Sequence, residues 1–136
     1  MAEIIEFFSG YSTIVLVIRI ILAGACGGII GVERTLRQKD AGFRTHIIVA
    51  FGAAVMMIVS KYGFFDVVIY DSIQLDASRV SSNIITGISF LGAGMIFVHK
   101  KTITGLTTAA SIWATAGIGM SIGAGMYFIS ITTSII

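Results

Sequence analysis

The chain of 136 residues is 56% apolar and only 12% charged, contains no proline, and has a mean hydropathy of +0.97. A soluble domain carries about a quarter charged residues, so no water-facing shell can be assembled from this composition and a membrane protein is indicated. The net charge of +2 is too small and too scattered for a nucleic-acid partner, and the single cysteine, Cys26, excludes an internal disulfide.

In chain order, the first apolar stretch runs from Tyr11 to Val32. It is too long for the core of a signal peptide and follows Glu3 and Glu6 rather than lysine or arginine, so it is expected to be a retained anchor. A second span is expected from Thr45 to Val59 or Ser60, a third from Ser82 to Val98 and a fourth from Leu106 to Ile122. Each lies near the roughly 17 to 25 residues that a bilayer requires, the second at the short end. After Gly123 to Gly125 the run MYFISITTSII is too short to cross. It is either the first half of a fifth helix cut short, which the length requirement favours, or a short helix packed on the bundle. The expected fold is all-α: a polytopic integral membrane helical bundle with four clear transmembrane helices and a short or truncated fifth.

Lysine and arginine set the orientation. Arg34, Arg37, Lys39 and Arg44 lie between spans one and two, and Lys100 and Lys101 between three and four; the other side holds Lys61 and Arg79. The positive-inside rule makes the first group cytoplasmic and puts the N-terminus outside. The outer loop carries Asp66, Asp71 and Asp76 among apolar residues, which reads as a surface-lying segment with a solvated acidic face.

Small residues form stripes within the spans. Gly24 and Gly28, and Gly27 and Gly31, are overlapping GxxxG pairs; Gly87, Gly92 and Gly94 in span three and Gly105 and Gly117 at span four extend the pattern. In lipid, helix association rests on close packing, and glycine lets backbones approach. These stripes are expected to be helix contacts, and a homo-oligomer, at least a dimer, is expected from the span-one face.

Arg19 is the sharpest single residue, lying roughly 12 Å along the helix from Tyr11. An arginine at the centre of a spanning helix costs about 2.5 to 3.5 kcal/mol on insertion scales, so a partner is expected. Asp76, with Arg79 beside it, is nearest in depth, and the three are expected to form one polar site; Glu33, a carbonyl array or an anionic ligand are the alternatives. A second polar cluster, GVERTLRQKDAGFRTHIIV, spans residues 31 to 49. Glu33 and Arg34 end span one; Arg44, Thr45 and His46 open span two, with Thr45 expected to cap it and its free N–H groups to attract an anion or the Glu33 carboxylate. No metal site is expected, because His46 and His99 are not at ligand spacing and no cysteine cluster exists. No cofactor is expected.

Five motifs occur in order: GxxxGxER (27–34), AGFRTH (41–46), DxSR (76–79), GISFLGAG (87–94) and GLTTAASIW (105–113). Together they resemble the membrane domain of the MgtC/SapB family, bacterial inner-membrane proteins linked to magnesium limitation and virulence. The resemblance covers about Arg19 to Gly125. It implies five transmembrane helices, often followed by a small cytoplasmic domain similar to the ACT fold; residues 1–136 read as the membrane domain alone, without that C-terminal domain. Ser89, Thr107 and Ala114 depart from residues common in the family.

No nucleophile and base pair, phosphate loop, HExxH or intramembrane carboxylate pair is present, so no enzymatic activity is expected. The expected function is regulation, by binding, of other membrane proteins or of ion homeostasis under magnesium or acid stress; the resemblance implies the proton-driven ATP synthase among the partners. The alternative is a small homo-oligomeric transporter or channel for Mg2+ or H+, with Arg19, Asp76 and Arg79 lining its path. The expected location is the bacterial cytoplasmic membrane.

Overall fold

A computed structural model describes residues 13–64, 76–99 and 102–135. Five helices follow in order: α1 Thr13–Leu36, α2 Phe43–Tyr62, α3 Ala77–Gly94, α4 Leu106–Ala124 and α5 Tyr127–Ile135. Between α3 and α4 lies one antiparallel hairpin, β1 Phe97–His99 with β2 Thr102–Thr104, in the register Phe97–Thr104, Val98–Ile103 and His99–Thr102. The third span therefore ends at Gly94 and not at Val98, and the fold is mostly rather than wholly helical. The acidic outer loop at Asp66 and Asp71, and Lys100 and Lys101, lie outside the described residues.

Packing is inverted relative to a water-soluble protein. Ala23, Ala50 and Ala54 are fully buried, whereas Ile48 is 69%, Phe90 80% and Phe128 85% exposed. Apart from Ile112, Ile118 and Ile122, small residues make up the apolar interior while many large apolar ones face outward, the arrangement expected where lipid is the solvent and close backbone approach is the attraction. Among the described residues, α1 (24 residues) and α2 (20 residues) are long and apolar enough to cross a membrane. That is two of the four clear spans expected. The shortfall has a chemical cause: α3 and α4 are diluted by serine, threonine and glycine. Many of their hydroxyls bond back into their own helix, as Thr86 to Ser82 O, Ser89 to Ile85 O and Thr115 to Ser111 O do. Such back-bonding satisfies polar groups that hydropathy scales count as exposed.

The central element is α2, held between α1 and α4. On one side, a Cβ at Gly27 would come within 2.5 Å of His46 O and one at Gly31 within 2.6 Å of Phe43 Cα. On the other, a Cβ at Gly119 would meet Ala50 O at 2.2 Å and one at Gly123 would meet Ala54 O at 2.7 Å. The GxxxG stripe of α1 is thus occupied by α2 of the same chain. By contrast, a Cβ at Gly87, Gly94 or Gly117 would touch nothing within 4 Å, and Gly92 meets Ala109 only at ordinary distance. Gly87, Gly94 and Gly117, expected to be close contacts, line open surface, whereas the buried Gly92 packs on Ala109 of α4 as expected of a helix contact. The residue pairs above also set directions: α1 runs antiparallel to α2, and α2 parallel to α4.

Candidate functional site

Two arginines of α1 turn into the bundle, and each reaches one end of α4. Arg19 is 4% exposed. Its Nε donates to the Tyr127 hydroxyl at 2.7 Å, and Nη1 donates to the Tyr62 hydroxyl at 3.0 Å and to Gly123 O at 3.1 Å. Its guanidinium carbon lies 5.7 Å from the centroid of each tyrosine ring, within cation–π range. The end of α4 is built to allow this. Gly125 takes φ +96°, a left-handed conformation that favours glycine, and closes a Schellman motif with Gly125 N to Ile122 O at 2.9 Å and Met126 N to Ser121 O at 2.8 Å. That turn starts α5 and brings Tyr127 over Arg19. The two carbonyls that the motif leaves free are taken by cations: Gly123 O by Arg19 and Ala124 O by Lys61 Nζ at 2.8 Å. A helix C-terminus carries partial negative charge, so both cations sit where the field favours them.

The expected grouping of Arg19 with Asp76 and Arg79 is not what the structure forms. Asp76 is the N-cap of α3, and its carboxylate accepts from Ser78 Oγ at 2.6 Å and Ser78 N at 2.9 Å. Those two bonds hold its carboxyl below the ordinary aspartate value. Asp76 and Arg79 are both exposed at the start of α3. The physical reason is local: an aspartate two residues before a serine and at a helix start gains a cap without crossing the bundle. Hydroxyl and carbonyl groups serve Arg19 in its place.

At the other end, Arg34 is 9% exposed, and its Nη2 donates to Thr108 Oγ1 at 3.1 Å in the first turn of α4. Its Nε is buried and has no hydrogen-bond partner among the described residues. His46, in the first turn of α2, is fully buried, with Nδ1 2.8 Å from Gly42 O and Nε2 2.9 Å from Ser111 Oγ. A carbonyl only accepts, so Nδ1 carries the proton there.

The remaining expectations resolve around the α1–α2 turn. Glu33 pairs with Arg37 one turn on, not with the N-terminus of α2. Arg44 and Thr45 are exposed, and Thr45 does not cap α2, whose N-cap residue is Gly42. Thr35 caps it from the preceding helix: its Oγ1 accepts from Phe43 N at 2.9 Å and donates to Gly31 O at 2.8 Å. The structure therefore gathers Arg19, Arg34 and His46 on α4 and leaves Glu33, Arg44, Thr45, Asp76 and Arg79 at the rim. Sequence reading missed Tyr62, Tyr127, Thr35 and Thr108. For the tyrosines a signal existed, since amphipathic rings at span ends mark the interface.

No solved structure matches this chain. The sequence pattern of the MgtC family matches residues 20–136. "Putative magnesium transporter YhiD" of Escherichia coli (strain K12) is 53% identical over 119 residues, covering 88% of this chain and 55% of that protein. "Protein MgtC" of Brucella abortus (strain 2308) is 44% identical over 107 residues, covering 77% and 42%. "Protein SapB" of Bacillus subtilis (strain 168) is 39% identical over 107 residues, covering 78% and 46%. The chain thus spans about half the length of the curated relatives it matches. With its inverted packing, its two helices of spanning length and this kinship, it is a membrane protein, and it belongs to the MgtC family.

Proposed function

We propose that the chain acts by binding, as a regulator of other membrane proteins in magnesium homeostasis, in the bacterial cytoplasmic membrane with its N-terminus outside. The observation that carries this reading is the contrast between two sets of glycines. Gly27, Gly31, Gly119 and Gly123 are filled by neighbouring helices, whereas Gly52, Gly87 and Gly117 meet nothing. The open set lies along α3, where a groove of about 440 Å3 between α2 and α3 is lined by Gly52, Met56, Ile84, Gly87 and Leu91. A second groove of about 290 Å3 lies between α3 and α4, beside Trp113 and Gly117. Shallow apolar grooves with glycine floors suit the packing of a further helix in lipid. Assembly as a homodimer, and four spans rather than two, belong to the same reading.

Magnesium enters through the names of the relatives. The name of the Escherichia coli relative, "Putative magnesium transporter YhiD", favours a second reading, a small homo-oligomeric transporter of Mg2+ or H+. Reconstitution separates the two. Proteoliposomes holding a magnesium-sensitive dye, and parallel vesicles holding a pH dye, should leak no faster than protein-free vesicles. A saturable, protein-dependent flux of either ion would overturn regulation in favour of transport. Orientation is tested with single cysteines in a Cys26→Ala background: Ser72→Cys should label from outside intact cells and Gln38→Cys should not.

A further inference from the structure

We propose that the N-terminus of α4 and Arg34 together form a binding site for a phosphate group, supplied either by free phosphate or by an anionic lipid headgroup. The first turn of α4 lacks a cap. Its N-cap residue is Gly105, which has no side chain to offer, and the first intrahelical bond runs from Ala109 N to Gly105 O. The N–H groups of Leu106, Thr107 and Thr108 therefore have no partner within the helix, and the positive end of the helix dipole is open. A bare helix terminus of this kind is common; what distinguishes it here is the side chain placed on it.

That side chain is a cation, which the dipole disfavours at this end. Arg34 is buried, its Nη2 is fixed on Thr108 Oγ1, and the Nε of the same guanidinium is buried without a partner among the described residues. Among the described residues no carboxylate pairs with it, and the neighbouring Glu33 is engaged by Arg37. The comparison with Arg19 on the same helix makes the imbalance plain. Arg19 reaches the negative end of α4 and meets two hydroxyls and a carbonyl, while Arg34 reaches the positive end and meets one hydroxyl. An oxyanion corrects all three deficits at once: it accepts from the guanidinium edge, accepts from the free N–H groups, and neutralises a cation and a dipole of the same sign. Phosphate fits because its several oxygens serve a guanidinium and backbone donors together. Arg37, Lys39 and Arg44 at the same end of the bundle are exposed and raise the local anion concentration.

The test uses the purified chain in nanodiscs, with thermal unfolding followed through the single tryptophan, Trp113, in α4. In one arm, inorganic phosphate is titrated into phosphatidylcholine nanodiscs against chloride of matched ionic strength. In the other, phosphatidylglycerol replaces phosphatidylcholine with no phosphate present. A saturable rise of several degrees in the first arm alone assigns the site to free phosphate, and in the second alone to a lipid headgroup; a rise in both supports a site for phosphate groups from either source. Arg34→Gln should weaken the response about tenfold or more, and Arg34→Lys, which keeps the charge but loses the planar edge, should also weaken it. Lys39→Gln removes an exposed charge at the same end without releasing Glu33, and should weaken the response far less than Arg34→Gln does. If neither arm shifts the wild-type chain, the proposal is wrong. It is equally wrong if Lys39→Gln abolishes the response while Arg34→Lys retains it in full, since that pattern is surface electrostatics.

Discussion

Arg19 and Arg34 lie on one face of α1 and finish on opposite poles of α4, the first on Gly123 O at its C-terminus and the second on Thr108 Oγ1 at its N-terminus. The antiparallel packing of α1 on α4 follows from the same pairing. Each arginine anchors an end of a helix contact whose middle holds Ala23 and Cys26 of α1 with Ile118 and Ile122 of α4.

Because Arg19 is buried on hydroxyls, removing a hydroxyl should cost more than its own bond. Tyr127→Phe leaves Nε without its partner at 2.7 Å, and Tyr62→Phe frees one of the Nη1 bonds. Each should lower stability by about 1 to 3 kcal/mol, the range for an unsatisfied buried donor. In a double-mutant cycle, Arg19→Leu with Tyr127→Phe should be clearly less damaging than the sum of the single losses. Arg19→Leu with Asp76→Ala should be additive, because Asp76 is engaged by Ser78. Coupling in the second cycle, and none in the first, would restore the carboxylate as the partner.

The glycines separate into a filled set and an open set, and substitution should follow that division. Gly27→Ala and Gly119→Ala push a methyl into backbone at 2.5 and 2.2 Å, with no flexible side chain to yield. Overpacking of this kind costs about 1 to 3 kcal/mol and should lower the melting temperature of the isolated chain. Gly24→Ala, whose nearest contacts are at 3.8 and 4.0 Å, and Gly117→Ala, which meets nothing, should be near neutral. Thermal unfolding in detergent decides this. No loss at Gly27 would mean that α2 does not fill the stripe of α1.

Much of the helical layout was legible in sequence: the fourth span, expected from Leu106 to Ile122, is α4 over Leu106–Ala124. The third was overextended because Met95 to Val98 is apolar enough to pass for helix, whereas Phe97–His99 pairs with Thr102–Thr104 in a hairpin. Apolar content cannot tell the two apart. The partner of Arg19 was missed for another reason. Charge matching points to the nearest carboxylate in depth, but Asp76 has a better bond two residues away, and a tyrosine 108 positions along the chain is invisible to spacing. Thr45 reads as a cap because it opens the expected span. The helix begins two residues earlier, so the cap came from Thr35 across the turn.

That turn contains a correctable strain. Gln38 takes φ 53°, with Gln38 N bonded to Thr35 O and Lys39 N bonded to Arg34 O, each at 3.0 Å, which is a Schellman motif with glutamine at the left-handed position. A residue with a Cβ there costs about 1 to 2 kcal/mol, a cost glycine avoids. Gln38→Gly should raise stability by up to about 1 kcal/mol, after the extra freedom glycine has in the unfolded chain is deducted. Thr35→Ala should lower it by about 1 kcal/mol, by removing the acceptor for Phe43 N. The two are measured together by denaturant or thermal unfolding; a destabilised Gln38→Gly would exclude backbone strain at this position.

Acid should act on α3 before it acts on the bundle interior. The Asp76 carboxyl is held below its ordinary value of 3.8 by hydrogen bonds from the Ser78 hydroxyl and backbone, aided by Arg79. A folded value below the unfolded one means that the ionised form is the stabilising partner. Its contribution is complete above the unfolded value and is lost as pH falls through the lower folded value. The wild-type chain and Asp76→Ala should therefore differ in protection of the α3 amides near pH 6, with the wild type better protected, and the difference should shrink below about pH 4. Asp76→Asn keeps an acceptor but does not titrate, so its profile should be flat over the same range. Amide hydrogen exchange read by mass spectrometry reports this segment by segment. A wild-type advantage that persists undiminished at pH 2 would show that the cap owes nothing to charge.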